Sequence, residues 1–137
     1  MTTAGYSGTP LAKKLGVKPG PTMAILSEPG DFRDWLAPLP DGVQVRTSIG
    51  RAPDVVVIFA ERRDLLQRRV EEAAEAIFPD GSIWVGWPKK SSKVMTDITE
   101  DVVREIALPL GLVDTKVCAI SEVWSGLRVV WRKERRT

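Results

Sequence analysis

The chain has 137 residues, 43% hydrophobic and 28% charged, ordinary globular usage for one domain able to bury roughly two thirds of its unfolded surface. It contains no histidine and a single cysteine, Cys118, which excludes histidine nucleophile pairs, histidine general bases, histidine metal sites, cysteine zinc clusters and an intrachain disulfide. The net charge of +2 is unevenly placed, because the residues from Arg128 onward hold five basic groups and one acidic, a net +4, which leaves −2 for the rest.

The longest apolar run, Val55 to Ala60, falls far short of the roughly 20 residues that cross a bilayer. The start of the chain lacks a charged-then-apolar signal pattern. The expectation is a cytoplasmic domain over residues 1–137 with no membrane partner.

Taken in order, Met1 to Gly8 is small and polar. Thr9, Pro10 and Gly16 then punctuate a short helix over 9–15, with Thr9 as cap, proline at the first helical position and glycine past the end. Val17-Lys18-Pro19-Gly20-Pro21 is a turn, and a first strand is expected from Thr22 to Ser27. Phe32, Trp35 and Leu36 share a face of a short helix ending before Pro38, and Val43 to Thr47 reads as a weak second strand. Asp54 to Ala60 is continuously apolar and β-branched after its first residues, the pattern of a parallel strand covered on both faces.

A long helix is predicted from Arg62 to Phe78, with Leu65, Leu66, Val70, Ala73, Ala74 and Ile77 as its apolar stripe. Pro79-Asp80-Gly81 stops it, and Ser82 to Trp87 forms the next strand. Asp97 and Glu100 have the spacing of a capping box for another helix, with Pro109 kinking or ending it and Gly111 closing it. Two final strands, 112–121 and 127–132, are joined through Glu122-Val123-Trp124-Ser125-Gly126, a link short enough to make them antiparallel neighbours. The alternation gives an α/β class: a three-layer sandwich with a mostly parallel sheet of about six strands, closed by an antiparallel C-terminal hairpin. The basic tail, 132–137, is expected to be flexible.

Asp54-Val-Val-Val-Ile-Phe-Ala, a helix, Pro79-Asp-Gly-Ser-Ile-Trp-Val, a helix, Gly111-Leu-Val-Asp and a closing hairpin resemble the second half of a Rossmann-like S-adenosylmethionine methyltransferase. The resemblance implies a strand order of second, first, third, fourth, sixth, fifth, with the sixth antiparallel. The first half departs from it. Strand one ends Ser27-Glu28-Pro29-Gly30 and strand two ends Arg46-Thr47-Ser48, so the glycine-rich loop and the ribose-binding acid of such enzymes are missing. The reading is therefore a degenerate methyltransferase-like fold that leans away from catalysis and carries no cofactor.

Gly5-Tyr6-Ser7-Gly8-Thr9-Pro10-Leu11 and Lys13-Lys14-Leu15-Gly16, followed by Trp87-Pro88-Lys89, Asp97, Val117-Cys118 and Trp124-Ser125, look like an uncharacterised bacterial domain-of-unknown-function family. That similarity spans nearly the whole chain and supplies no activity.

Three sets of residues are candidates for a site. Lys89, Lys90, Ser91, Ser92 and Lys93 put three ammonium groups and two hydroxyls in a row, suited to phosphate or carboxylate, although a solvated loop has the same composition. Trp87, Trp124 and Ser125 could line one cleft with that loop if strands four and six are adjacent, or could simply be core. Glu28, Asp31 and Glu61 fall at the ends of strands one and three, where carboxylates serve acid-base work or hard cations, or sit as exposed charges favoured by helix dipoles. Cys118 reads as a buried, inert thiol within a strand.

The leading expectation is a non-catalytic binding or interaction domain. The alternative is a sensor or enzyme for an anionic small molecule at 89–93, and a third is nucleic-acid association through the tail, which no recognised nucleic-acid motif supports. A protein partner and self-association both stay open.

Overall fold

The computed structural model describes residues 10–30 and 32–136. Thr9, Asp31 and the opening Gly5 to Gly8 lie outside the described residues. The elements in chain order are α1 (Leu11–Lys14), β1 (Thr22–Leu26), α2 (Phe32–Leu36), β2 (Gln44–Arg46), β3 (Val55–Phe59), α3 (Arg63–Ile77), β4 (Ser82–Pro88), α4 (Glu100–Leu110), β5 (Leu112–Ala119) and β6 (Trp124–Trp131).

All six strands form one sheet in the order β2-β1-β3-β4-β6-β5. The first four are mutually parallel, and β6 runs antiparallel to β4 on one side and β5 on the other. This is the expected order, and it makes a Rossmann-like α/β sandwich.

Strand alternation sends the core to both faces of the sheet. Ala24, Val56, Ile58, Ile83, Val85, Trp87, Leu127 and Val129 meet the stripe of α3 and the buried face of α4. Met23, Ile25, Val57, Phe59 and Trp84 meet α1 and α2 instead. Every residue of β3 and β4 is buried, which is why those two strands read as continuous apolar runs.

α1 begins one residue later than the punctuation implies, with Pro10 as its N-cap and no side-chain cap bond. Gly16 ends it as expected, at φ +74°, with its N–H donating to the Lys13 carbonyl at 3.0 Å. The buried carbonyl of Leu15 accepts the indole N–H of buried Trp84 at 2.9 Å, which fastens this short helix to the centre of the sheet.

Two boundaries differ from the sequence reading. α4 is capped by Thr99, whose hydroxyl accepts the Val102 N–H at 3.2 Å, while Asp97 accepts the Arg63 N–H at 2.7 Å and so caps the start of α3. A spacing rule registers only separation along the chain, and here the acid serves the neighbouring helix. Pro109 remains inside α4, which runs one residue further before Gly111 closes it at φ +101°.

The second correction concerns Trp124 and Ser125, which belong to β6 and not to the link before it. Buried Ser121 shortens that link: its hydroxyl accepts the N–H groups of Val123 and Trp124 at 3.2 and 3.1 Å. Both Ile120 and Ser121 donate their N–H to the Trp124 carbonyl, at 2.9 and 3.1 Å. The turn is thus complete by Val123, and Trp124 can pair with Pro88 across the ladder.

Beyond β6, Lys133–Arg135 form a 3-10 turn. The Arg132 N–H donates to the Gly111 carbonyl at 3.0 Å, and the Arg136 guanidinium donates to the Trp131 carbonyl at 3.0 Å. Basic groups at the C-terminal end of α4 suit its dipole. No described helix is long and apolar enough to cross a membrane.

Candidate functional site

β2 lies on one side of β1 and β3 on the other, so the connections leaving β1 and β3 diverge. In an open α/β sheet that divergence opens a crevice beyond the carboxyl ends of the two strands. A cleft of about 420 Å³ occupies this position, lined by Ser27, Glu28 and Pro29 after β1, Phe59 to Arg62 at and after β3, Leu65 of α3 and Trp124 of β6.

Its floor is aromatic. Phe59 is 1% exposed and packs edge-to-face on Phe32 at 4.7 Å and on Trp124 at 5.1 Å. Gly86 and Gly126 face each other across β4 and β6. A Cβ on Gly86 would come within 2.9 Å of the Phe59 ring, and one on Gly126 within 2.9 Å of Ile120, so the two glycines make the space these side chains fill.

The rim is polar and partly committed to structure. Ser27 holds φ +57°, a left-handed conformation unusual for a residue with a side chain, and it is exposed at the mouth. Glu28 receives two hydrogen bonds from Arg33, at 2.9 and 3.1 Å. This bidentate pair ties the end of β1 to α2, so the carboxylate beside the mouth is already engaged.

Arg62 pairs with Asp64 at 3.1 Å. The Leu65 N–H, with Arg62 alongside, holds the Asp64 carboxyl below the usual range. The Glu61 carbonyl accepts the Thr96 hydroxyl at 2.6 Å, and Asp97 caps α3 from the same loop. One rim of the cleft is therefore stapled to the segment that follows β4.

The lysine segment forms a compact turn. Lys90–Ser92 is a single 3-10 turn, and Lys93 closes it at φ +63°. The Ser92 hydroxyl donates to the Lys89 carbonyl at 2.6 Å and accepts the Val94 N–H at 3.2 Å, so it is occupied within the loop. Lys90, Ser91 and Lys93 are exposed. The Lys89 N–H donates to the Val123 carbonyl at 2.7 Å, which sets this turn directly beside Trp124.

The sequence candidates therefore divide between the two faces of the sheet. Trp124 reaches the cleft, with Lys89 next to its strand end. Trp87, 7% exposed, packs into the α3–α4 core on the opposite face, and Ser125 is its register partner. Glu28 and Glu61 both line the cleft, Asp31 lies outside the described residues, and among the described residues no group of three His, Cys, Asp or Glu could hold a metal. Cys118 is half-buried, and burial pushes its thiol above the ordinary value.

Ser27, Pro29, Phe59, Ala60, Arg62 and Leu65 line the cleft without being site candidates in the sequence. Phe59 closes a run whose uniform burial conceals that its last ring faces an opening. Position at a strand end was the available signal.

An open, mostly parallel sheet closed by an antiparallel β5–β6 pair defines a Rossmann-like α/β sandwich. Among solved structures, the chain is similar to a SAM-dependent methyltransferase from Aquifex aeolicus, at 12% identity and TM-score 0.62, over 87% of this chain and 86% of that one. A putative type 11 methyltransferase from Sulfolobus solfataricus gives 13% identity and TM-score 0.62 over 90% of each chain. Magnesium protoporphyrin IX methyltransferase from Synechocystis PCC 6803, with bound SAM, gives 10% and 0.57 over 89% of this chain and 74% of that one. At such identities the likeness establishes the fold alone. No family model matches the chain, and no curated protein matches its sequence.

Proposed function

We propose that this chain is a non-catalytic binding domain on a methyltransferase-like fold, taking a small molecule with a flat apolar body and an anionic group. The body would lie on Phe59 and Trp124, and the anion would be met by Lys89 and Lys90. The observation that carries this reading is the cleft of about 420 Å³ at the carboxyl ends of β1 and β3, a volume within the range of small-molecule sites.

The departures from the fold's enzymes support binding over methyl transfer. The turn after β1 holds one glycine and a carboxylate tied to Arg33, and β2 ends in Arg46-Thr47-Ser48 with no acid for a ribose. Without histidine, and with Glu28 paired, Glu61 is the one remaining carboxylate in the cleft lining that could move a proton.

A thermal-shift panel of S-adenosylmethionine, S-adenosylhomocysteine, nucleotides, sugar phosphates and aromatic carboxylates tests the reading. A true ligand should stabilise the protein by about 2.7 kcal/mol at a hundredfold excess over its dissociation constant. Trp124→Ala should abolish the shift, and Lys89→Ala with Lys90→Ala should abolish it for the anionic members. No shift across the panel would contradict the proposal, and methyl transfer from S-adenosylmethionine to any acceptor would contradict its non-catalytic half.

A further inference from the structure

We infer that the loop after β4 is a docking site for an acidic protein segment that carries an apolar anchor residue, a surface centred on Met95 that adjoins the cleft and shares Lys90 with it. Six large apolar side chains are exposed among the described residues, and three of them, Val94, Met95 and Val123, lie on the two loops joined by the Lys89–Val123 hydrogen bond. Met95 is the extreme case at 90% exposed.

This exposure belongs to a loop that is held in place. Ser92 bonds both Lys89 and Val94, Thr96 bonds Glu61 at 2.6 Å and also receives the Ile98 N–H, and Asp97 caps α3. Val94 and Met95 therefore stand at the apex of a segment fastened on both sides. Binding to a pre-formed loop loses less conformational freedom than ordering a slack one, and an apolar side chain presented this way has the character of an interface anchor.

Charge selects the partner. Residues 89–99 and 120–123 contain three lysines against two acids, Asp97 and Glu122, and Asp97 is engaged by the Arg63 N–H. Lys90 and Lys93 are exposed and form no ion pair among the described residues. An acidic segment running past Met95 would find both ammonium groups available, and complementary charge of this kind favours encounter and register.

A flat anionic membrane fits less well. Exposed Glu61, Asp64 and Asp101 stand at the same edge of the sheet, where a plane would meet them and a narrow peptide can pass them by.

The test is fluorescence anisotropy of the full chain with two labelled amphipathic peptides of equal length, one of Glu and Leu and one of Lys and Leu. The account expects the Glu/Leu peptide to bind and the Lys/Leu peptide not to. Met95→Asp and the double change Lys90→Glu with Lys93→Glu should each weaken binding at least tenfold, while Leu108→Asp, at an exposed apolar position on α4 at the other end of the sheet, should leave it unchanged. Absence of binding, equal binding of both peptides, or indifference to Met95→Asp would overturn the inference. Capture by phosphatidylserine vesicles that Met95→Asp abolishes would reassign the loop to membranes, and a concentration-dependent mass abolished by the same change would reassign it to a second copy of the chain.

Discussion

The two edges of the sheet are built differently. At the amino edge, polar groups close on one another: Asp54 accepts the Thr22 N–H at 2.8 Å, the Trp131 indole donates to the Ala74 carbonyl at 2.8 Å, and Phe78 packs edge-to-face on Trp131 at 5.5 Å. A Cβ on Gly81 would meet Ile77 at 2.8 Å and the Asp54 carbonyl at 3.0 Å, so there is no spare room at the turn between α3 and β4. The carboxyl edge holds the cleft floored by Phe59 and Trp124, two non-glycine residues at positive φ in Ser27 and Lys93, and Met95 almost wholly in water, whereas the amino edge has one such residue among those described, Ala52, and a depression of about 450 Å³ beside the loops that enter β1 and β2, lined largely by proline, glycine and lysine. What separates the edges is the lining: among the described residues, only the cleft at the carboxyl edge combines an aromatic floor with a left-handed serine and carboxylates at its rim, a combination suited to a site.

The difference can be broken by substitution. Trp131→Ala should have the largest effect, a loss of about 2–4 kcal/mol in urea unfolding from a half-buried ring and its hydrogen bond, with ligand-induced shifts in the thermal panel preserved. A loss of the shifts together with the stability would show that the edges are not separable.

Asp97→Ala comes next. Removing a capping side chain costs about 1 kcal/mol, and since this cap joins the loop after β4 to α3, hydrogen exchange should accelerate at Arg63 and its neighbours before it does at Thr99. Equal acceleration at both helix starts would favour the capping-box spacing over the cross-helix contact.

How far the sequence could reach is clear from these residues. β3, α3 and β4 were legible because burial on both faces, a helical stripe and Pro79-Asp80-Gly81 all operate along the chain, and from those elements the strand order followed by resemblance. Asp97 was misassigned because its true partner, Arg63, is distant in sequence and near in space. Trp87 and Trp124 look equivalent as letters, yet strand alternation and one register position send them to opposite faces. The Ser121 turn that fixes that register involves backbone groups, which composition does not reveal.

Ser27→Gly should have the smallest effect and the opposite sign. Releasing a left-handed serine should gain about 0.5–1 kcal/mol, read as a higher urea midpoint. Weaker ligand binding alongside that gain would mark Ser27 as strain kept for the site, whereas a destabilised variant would remove strain from the account of this edge.

The central claim, that the carboxyl-edge cleft is where a ligand binds, is tested most directly by mapping backbone amide shifts while titrating adenosine monophosphate, which is both flat and anionic, into the labelled protein. The account predicts saturable shifts at Ser27, Glu28 and Ala60 to Arg62, with Lys89 and Lys90 following, and an unmoved amino edge around Thr22, Ser82 and Gly111. Shifts gathered at the amino edge, or none at all beside a ligand from the thermal panel, would contradict it.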